Sequence, residues 1–590
     1  MKKIHRSILS VALCASLLGA SAGCSAPADD RGLTPQEYSV RNLAATDALG
    51  RSFDVAGAKK DGKTVGVFYS LWLGQHSSTG IFDIQYMLEN DPETLNDPTV
   101  NLGQFHFWGK PLYGYYSTSD PFVITRHVEL LTMAGVDYLC IDATNEHIYE
   151  TPGKLLLRTL QKFAGQGFNV PKVCFYTNTG SGETVDKLYE TYYRSGEFED
   201  MWYAPNGRPV VIGITENNQF ASDQFLGGNV VSYVSERMQE YFDVWESQWP
   251  TGEYNPDAYS WMTWELDRLV HNGHAAVPVA QHSHTSIDAS SMDPECSRAY
   301  NNFTKKKEGD WKEGKSFETM WEAVFEQGNQ VNDVLCTSFN EWQAQKYARG
   351  SGVGFVDVYN WEYSRDIEMM EGGYGDNFYL QLVRNLRKFK YEQGKRYAMP
   401  SATVDISIDD PKWENVTARY ADFEGDAIER DFPDAAGQSR YVDGSARNDI
   451  TDIRVLHDAD YLYFRIQTAE EITSPEAEDT GWMNLLIGTG EGASFEGYQY
   501  VVNRSPENGS TSVERSKGGY DWERVGSADL RFEENVLFLR IPRAALNLGK
   551  GTPNISFKVC DNVTDPGNIM DYYVSGDCAP IGRLSYRYGG

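Results

Sequence analysis

The chain has 590 residues, 41% of them hydrophobic and 13% aromatic, and a formal net charge of −31. That length exceeds what one hydrophobic core sustains and predicts two or three domains. The acidic balance excludes nucleic acid as a partner, because phosphate binding draws on clustered Lys and Arg.

In chain order, "MKKIHR" is a basic opening, and "SILSVALCASLLGASAG" is an apolar run ending in small residues before Cys24. It is too short and too early for a transmembrane anchor and reads as a secretory signal. The "SAGC" ending resembles the signals of bacterial lipoproteins, although Ser21 stands where that pattern has Leu. The resemblance implies a signal over 1–24 with Cys24 lipidated, and membrane contact through that anchor only. The acidic "SAPADD", with Asp29 and Asp30, resembles the surface-export signals of Bacteroidetes lipoproteins. Together these imply a place in a bacterial cell envelope, at the outer membrane and exposed on the surface. Residues 25–63 are expected to be a tether and N-terminal extension.

Between residues 64 and 395, short apolar runs alternate with amphipathic helical stretches. The runs lie at 64–72, 136–145, 170–179, 208–214, 241–249, 275–283, 333–342 and 352–360. The helical patterns lie at 122–135, 151–166, 183–196, 315–329 and 375–392. Near-continuous apolar strands separated by helices predict a parallel sheet covered on both faces. Eight such units predict an α/β (β/α)8 barrel, with 333–342 as its seventh strand and 352–360 as its eighth. No glycine-rich nucleotide-binding motif follows any strand. From 403 to 590 the texture changes to short alternating strands with closely spaced turns, which predicts an all-β sandwich.

In such barrels the active site lies at the C-terminal ends of the strands. The predicted strand ends carry Trp72, then Asp142, Asn145 and Glu146, then Asn178, then Gln281 and His282, then Asn340, Glu341 and Trp342. An insertion after the first strand adds Trp108 and Tyr116. Amides and carboxylates hydrogen-bond sugar hydroxyls, and aromatic faces stack on sugar rings. Any of these residues alone has a structural explanation; their recurrence at several separate strand ends points to a sugar cleft. In "NWEYSRDIE", Arg365 between acids is expected to belong to a structural ion-pair network. Asp376 and Asn377 are expected to cap the last helix.

"VGVFYSLW", "FHFWGKPLYGYYSTSDPFVITRHVELLTMAGVDYLCIDATN", "TSFNEW" and "FVDVYNWEYSRDIEMMEGGYGDNFYLQLVRNLRKFK" resemble glycoside hydrolase families 71 and 99 and their bacterial relatives. The resemblance implies a (β/α)8 barrel acting on polysaccharide or glycan. Those families place an Asn, an acid, an aromatic, any residue and a second acid at one strand end. Asn340, Glu341 and Trp342 match the first three positions, but the second acid falls on Ala344. Three replacements stay open: Asp142 or Glu146 across the mouth, Glu362 or Asp366 from the following loop, or a site that binds without cleaving. Asp142 ranks first because it sits at a strand end. Glu341 as base or nucleophile and Asp142 as general acid form the expected catalytic pair, with the roles interchangeable. The expected activity is a glycoside hydrolase with a carbohydrate substrate and no cofactor; the alternative is a non-catalytic surface glycan-binding lipoprotein.

The C-terminal strands, including "GSARNDITDIRVLHDADYLYFRIQTAEEIT" and "GWMNLLIGTG", resemble family 9 carbohydrate-binding modules, some of which hold structural calcium. Trp482, Tyr498, Tyr500 and Trp522 are candidates for sugar contact, and Asp449, Asp561 and Asp571 for calcium, without EF-hand spacing. Elsewhere no metal site is expected, because the cysteines form no CxxC pattern. Cys140, Cys174 and Cys336 read as small buried hydrophobes, and Cys560 and Cys578 can meet across a hairpin.

Overall fold

The computed structural model describes residues 32–178, 180–217, 232–248, 254–263, 265–281, 292–392, 402–403, 405–476 and 478–589. Eight parallel strands form a nearly closed ring: β1 Thr64–Tyr69, β2 Tyr138–Ala143, β3 Lys172–Thr177, β4 Val210–Gly213, β5 Asp243–Gln248, β6 Tyr259–Ser260, β7 His274–Pro278 and β8 Asp333–Thr337. β8 pairs with both β7 and β1 and so closes the ring on that side. Among the described residues no backbone ladder joins β6 to β7. There His274 stacks on Tyr259 at 3.8 Å between ring centres, and its Nε2 lies 2.7 Å from the Ser260 carbonyl.

Two strand predictions need correction. The run at 333–342 is the eighth barrel strand, not the seventh, because the two-residue β6 precedes it. The run predicted as the eighth strand instead forms Gly352–Phe355, which pairs antiparallel with Gln343–Arg349. That hairpin joins Phe105–Phe107 in a small sheet, Gln343 standing opposite Phe107. An apolar run specifies burial but not its pairing partner, so periodicity alone could not separate the two cases.

The barrel interior is aromatic. Phe68, Tyr138, Tyr176, Tyr259 and Trp261 fill it together with Cys140, Cys174, Ile212 and Leu335. Gly66 is required here, since a Cβ on it would stand 2.3 Å from the Tyr138 ring. The opposite face of each strand turns Val65, Val67, Leu139, Ile141 and Val173 into the shell beneath the helices. At the lower end, Asp333 accepts from the Tyr138 hydroxyl at 2.9 Å and meets His274 Nδ1 at 2.8 Å, so a polar knot closes the N-terminal face.

The shell helices include α1 Pro121–Ala134, α2 Glu150–Gly165, α3 Ser181–Leu188, α4 Glu236–Tyr241, α5 Lys315–Gln327 and α6 Asn377–Lys390. α1 starts where the Asp120 side chain accepts from the Phe122 N–H beside Pro121, and stops at left-handed Gly135. Asp376 does not cap α6 through its side chain. Its carboxylate instead receives Arg583 at 2.7 Å and the Tyr573 hydroxyl at 3.1 Å, binding the barrel to the C-terminal region.

That region supplies eleven strands of a thirteen-stranded, sandwich-like antiparallel assembly. Leu462, Phe464, Ile466, Leu537, Leu539 and Ile541 alternate into a core continuous with the barrel's shell. The N-terminal strand Leu43–Thr46 adds to its edge, pairing with Ser585 and Tyr586. Arg430 meets Asp120 at 2.8 Å, and Phe168 stacks on Phe423 at 3.9 Å, so the two parts share a buried seam. Cys560 and Cys578 stand opposite each other in register as free thiols. Trp482, Tyr498 and Tyr500 are buried core residues rather than a sugar platform; Trp522 is half-buried. No helix among the described residues is long and apolar enough to cross a membrane. Residues 1–31, and Cys24 with them, lie outside the described residues, as does His282.

Candidate active site

After β8 the chain turns inward through Ser338, Phe339 and Asn340 to Glu341. Asn340 sets this turn by clamping the backbone after β1: its carbonyl accepts from Ser70 N–H at 2.8 Å and its amide donates to Ser70 O at 3.0 Å. The Glu341 N–H donates to Asp366 at 2.5 Å, and Trp108 Nε1 donates to the other Asp366 oxygen at 2.8 Å. The side chain of Glu341, 7% exposed, lies 3.1 Å from Arg365, whose guanidinium also faces Asp357 at 3.7 Å. Arg365 further donates to the Asp357 carbonyl at 2.9 Å, and its guanidinium stands 5.7 Å from the Trp261 ring centre.

Asp142 comes from β2. The two-residue period of a strand places it on the same face as Tyr138 and Cys140, hence over the barrel interior. One of its oxygens accepts from the Thr144 N–H at 2.9 Å and the Thr144 hydroxyl at 2.8 Å.

Glu341 and Asp357 thus share one guanidinium, and Asp142 lies within their electrostatic field. Burial raises the Glu341 carboxyl well above the usual carboxylate range; Arg365 opposes this, while Asp357, Asp366 and Asp142 add to it. Burial also raises Asp142, against the two Thr144 hydrogen bonds and Arg365, with Asp357 repelling it. Grouped carboxylates beside one cation cannot all ionise at little cost, which favours protonated forms within the group. The arrangement supplies a buried acid, Glu341, and a second carboxyl, Asp142, held by the Thr144 donors. Those are the two functions that glycosidic cleavage needs.

Several predicted substrate contacts are buried instead. Trp108 and Trp342 stack on each other at 4.2 Å and are inaccessible, as are Tyr116 and Asn340. Trp342 Nε1 and the Tyr116 hydroxyl donate to Glu368 at 2.5 and 2.7 Å, and His127 Nε2 meets the same carboxylate at 2.9 Å. These residues support the site from beneath and do not line it. Asn178 and Gln281 are also buried, Gln281 against Met320. Asn145 is exposed.

Of the predicted indoles, Trp72 is the half-exposed one. It packs on Phe105 at 5.3 Å, and Phe105 stacks on His76 at 4.7 Å, with Tyr149 and His147 beside them. Burial, with a smaller contribution from the Asp142 charge, raises the hydroxyl of Tyr149 in this rim.

Asp366 and Glu362, the two candidates from the following loop, are engaged by other partners. Asp366 is fully buried and bonded to Ser338, Glu341 and Trp108, while Glu362 holds Ser297 and Lys307. Arg365 was expected in a purely structural network, yet it touches Glu341 directly. Glu146 sits against Gly180. Ala344 is buried opposite His106, so the position where the related pattern has its second acid faces a packed strand.

Among the described residues, the acids of this site form no group of three whose ligand atoms lie within 4.8 Å of one another. In the C-terminal region Asp561 is held by Arg447, Asn448 and the Met483 N–H, and Asp571 by Ser575 and the Asp565 N–H. Both are therefore satisfied by protein donors. Carboxylates with unpartnered oxygens gather elsewhere, at the seam between α1 and the C-terminal strands.

No family model and no curated protein matches the chain. Among solved structures, the GH99 endo-α-mannosidase from Bacteroides thetaiotaomicron is similar at 16% identity, covering 55% of this chain and 97% of that one, with a TM-score of 0.29. A glycoside hydrolase-like protein is similar at 15% identity over 57% of this chain and 96% of its own, with a TM-score of 0.30. α-L-Fucosidase isoenzyme 1 from Paenibacillus thiaminolyticus is similar at 10% identity over 81% and 93%, with a TM-score of 0.20. Likenesses at these TM-scores decide neither fold nor chemistry, which rest on the strand order and on the residues described above.

Proposed function

We propose that the protein is a glycoside hydrolase that cleaves glycosidic bonds of an extracellular polysaccharide or glycan at the C-terminal mouth of its barrel. The observation that carries this reading is the buried Glu341–Arg365–Asp357 group just after β8, with Asp142 on β2, the next strand but one, in its electrostatic field. Glu341 is the general acid, since its surroundings favour the protonated form. Asp142, steadied by Thr144, acts as base or nucleophile. The half-exposed rim of Trp72, Phe105, His76 and Tyr149 offers the stacking surface for a sugar ring. The motif resemblance to glycoside hydrolase families 71 and 99 supports the substrate class. The N-terminal signal pattern with Cys24 supports a lipid-anchored protein of the cell envelope.

The burial of Ala344 favours a second reading, a surface protein that holds glycan without cutting it. A panel of polysaccharides and oligosaccharides, run on the mature protein beside Glu341→Gln and Asp142→Asn, separates the two. Hydrolysis by the parent protein, lost by at least about a thousandfold in either variant, is expected for the enzyme. Binding without product release in all three proteins establishes the binder. Equal activity in the parent and both variants removes the catalytic assignment.

A further inference from the structure

Five carboxylates meet at the seam between the barrel and the C-terminal region. Glu129 comes from α1, Asp422 follows the strand Arg419–Ala421, Asp426 lies in the next turn, Asp449 precedes the strand Ile450–His457, and Asp577 opens Asp577–Ala579. One oxygen from each of Glu129, Asp422 and Asp426 lies within 4.8 Å of the others, and so do oxygens from Asp426, Asp449 and Asp577. Asp426 belongs to both groups. Glu129, Asp422, Asp426 and Asp577 are each at most 4% exposed.

A cluster of acids alone would be weak grounds for a site. Here a second feature stands beside it: neither oxygen of Asp422, and neither of Asp426, has a donor in hydrogen-bonding geometry. Glu129, Asp449 and Asp577 each carry one further unpartnered oxygen, their other oxygens accepting from Arg126, the Gly425 N–H and the Ile450 N–H. The nearby cations are few. Arg126 reaches Glu129 at 3.0 Å and Asp426 at 3.6 Å, and the buried Lys558 ammonium donates to the Pro580 carbonyl instead. Buried acceptors without donors are costly, and buried excess charge more so. Protons shared between carboxyls would satisfy only some of these oxygens. A cation satisfies many at once.

We propose that these residues form a binding site for a hard divalent cation, calcium by preference, which ties helix α1 of the barrel to the C-terminal region with Asp426 as the shared ligand. The donor set is all oxygen, which suits calcium and disfavours the soft metals that select thiolate or imidazole. Calcium takes about six to eight oxygens and tolerates irregular geometry, as a set drawn from four chain segments requires. The site is separate from the catalytic grouping, and its presence does not depend on the hydrolase reading.

The test uses the full mature chain, stripped with EGTA, dialysed and returned to calcium chloride at pH 7. Elemental analysis before stripping is expected to show at least one calcium per chain. Millimolar calcium is expected to raise the melting temperature of the stripped protein by on the order of 10 °C, as ligand binding to the folded state alone requires. Asp426→Asn is expected to abolish that response. If that variant does not fold, Asp449→Asn, which is half-exposed, is expected to fold and to weaken calcium binding at least tenfold by calorimetric titration. An unchanged melting temperature with and without calcium, together with no binding heat, overturns the proposal. So does a double variant, Asp422→Asn with Asp426→Asn, that melts above the parent protein in the presence of calcium, because shared protons would then explain the cluster.

Discussion

Arg365 Nη2 lies 3.1 Å from the Glu341 carboxylate while both side chains are almost fully buried. The same guanidinium faces Asp357 at 3.7 Å, so one cation is divided between two acids. Of the influences on Glu341, Arg365 is the one that holds its carboxyl down against burial and the neighbouring carboxylates. Arg365→Met therefore raises the Glu341 value further. In the pH–rate profile, the limb where activity falls as the acid deprotonates is expected to move to higher pH. Carbon-13 titration of the labelled glutamates gives the same answer without a substrate. Stability is expected to fall by about 3–5 kcal/mol in urea melts, since removing one partner leaves a buried charge uncompensated. A variant with the parent's Glu341 titration would contradict the coupling.

Thr144 donates twice to Asp142, once from its backbone and once from its hydroxyl. Thr144→Val keeps the first and removes the second. The Asp142 carboxylate loses a stabilising donor, so its value rises and the acidic limb of the profile shifts upward. Turnover is expected to drop about tenfold, a loss of ~1.4 kcal/mol in transition-state stabilisation, with KM little changed. An effect confined to KM would assign Thr144 to binding instead.

Glu368 accepts from Trp342, Tyr116 and His127 beneath the site, all of them buried. Glu368→Ala strands these groups. At about 1–3 kcal/mol for each orphaned buried donor, the loss is expected to reach about 4 kcal/mol or more in equilibrium unfolding. Tyr116→Phe, which removes one donor and leaves the acid satisfied by the others, is expected to cost about 1 kcal/mol. A Glu368→Ala protein as stable as the parent would show that the network is not structural.

The acidic seam makes a prediction about pH. In the cation-free protein, burial and mutual repulsion raise Glu129 from 4.5 to about 8 and Asp449 from 3.8 to about 8. Asp422, Asp426 and Asp577 move in the same direction, while Arg126, Lys558 and Lys162 oppose the shifts of their neighbours. A carboxyl whose folded value lies above its unfolded one keeps a proton that the unfolded chain has released. Unfolding free energy therefore falls as pH rises from about 4 to about 8. Chelated protein followed by urea melts across this range is expected to lose stability steadily, and calcium-loaded protein to lose much less.

Much of the barrel was legible because its strands are long apolar runs. β1, β2, β3 and β8 stand out as near-continuous hydrophobic segments, and Asp120, Pro121 and Gly135 bracket α1 with recognisable cap chemistry. β6 was missed because a two-residue strand, Tyr259–Ser260, leaves no periodic trace. Gly352–Phe355 was misplaced because an apolar run carries no record of its partner. At the site, Glu341 and Asp142 were accessible from their positions at strand ends. Trp342 and Asn340 lie at a strand end too, and Trp108 and Tyr116 in the insertion after the first strand, but tertiary packing buries all four.

The sequence by itself determined which segments would be buried strands and helices, where the texture changes near residue 403, and that Ala344 cannot donate a proton. Those properties are local: hydrophobic period, cap residues and side-chain chemistry are written along the chain. Only the tertiary structure decided that Arg365 joins Glu341 to Asp357 and that Asp142 shares their field. It also decided that Glu129 meets Asp422 and Asp426, and that Asp426 in turn meets Asp449 and Asp577. Such relations depend on which distant segments share a low-dielectric volume, and there proximity outside the sequence order sets both charge and partner.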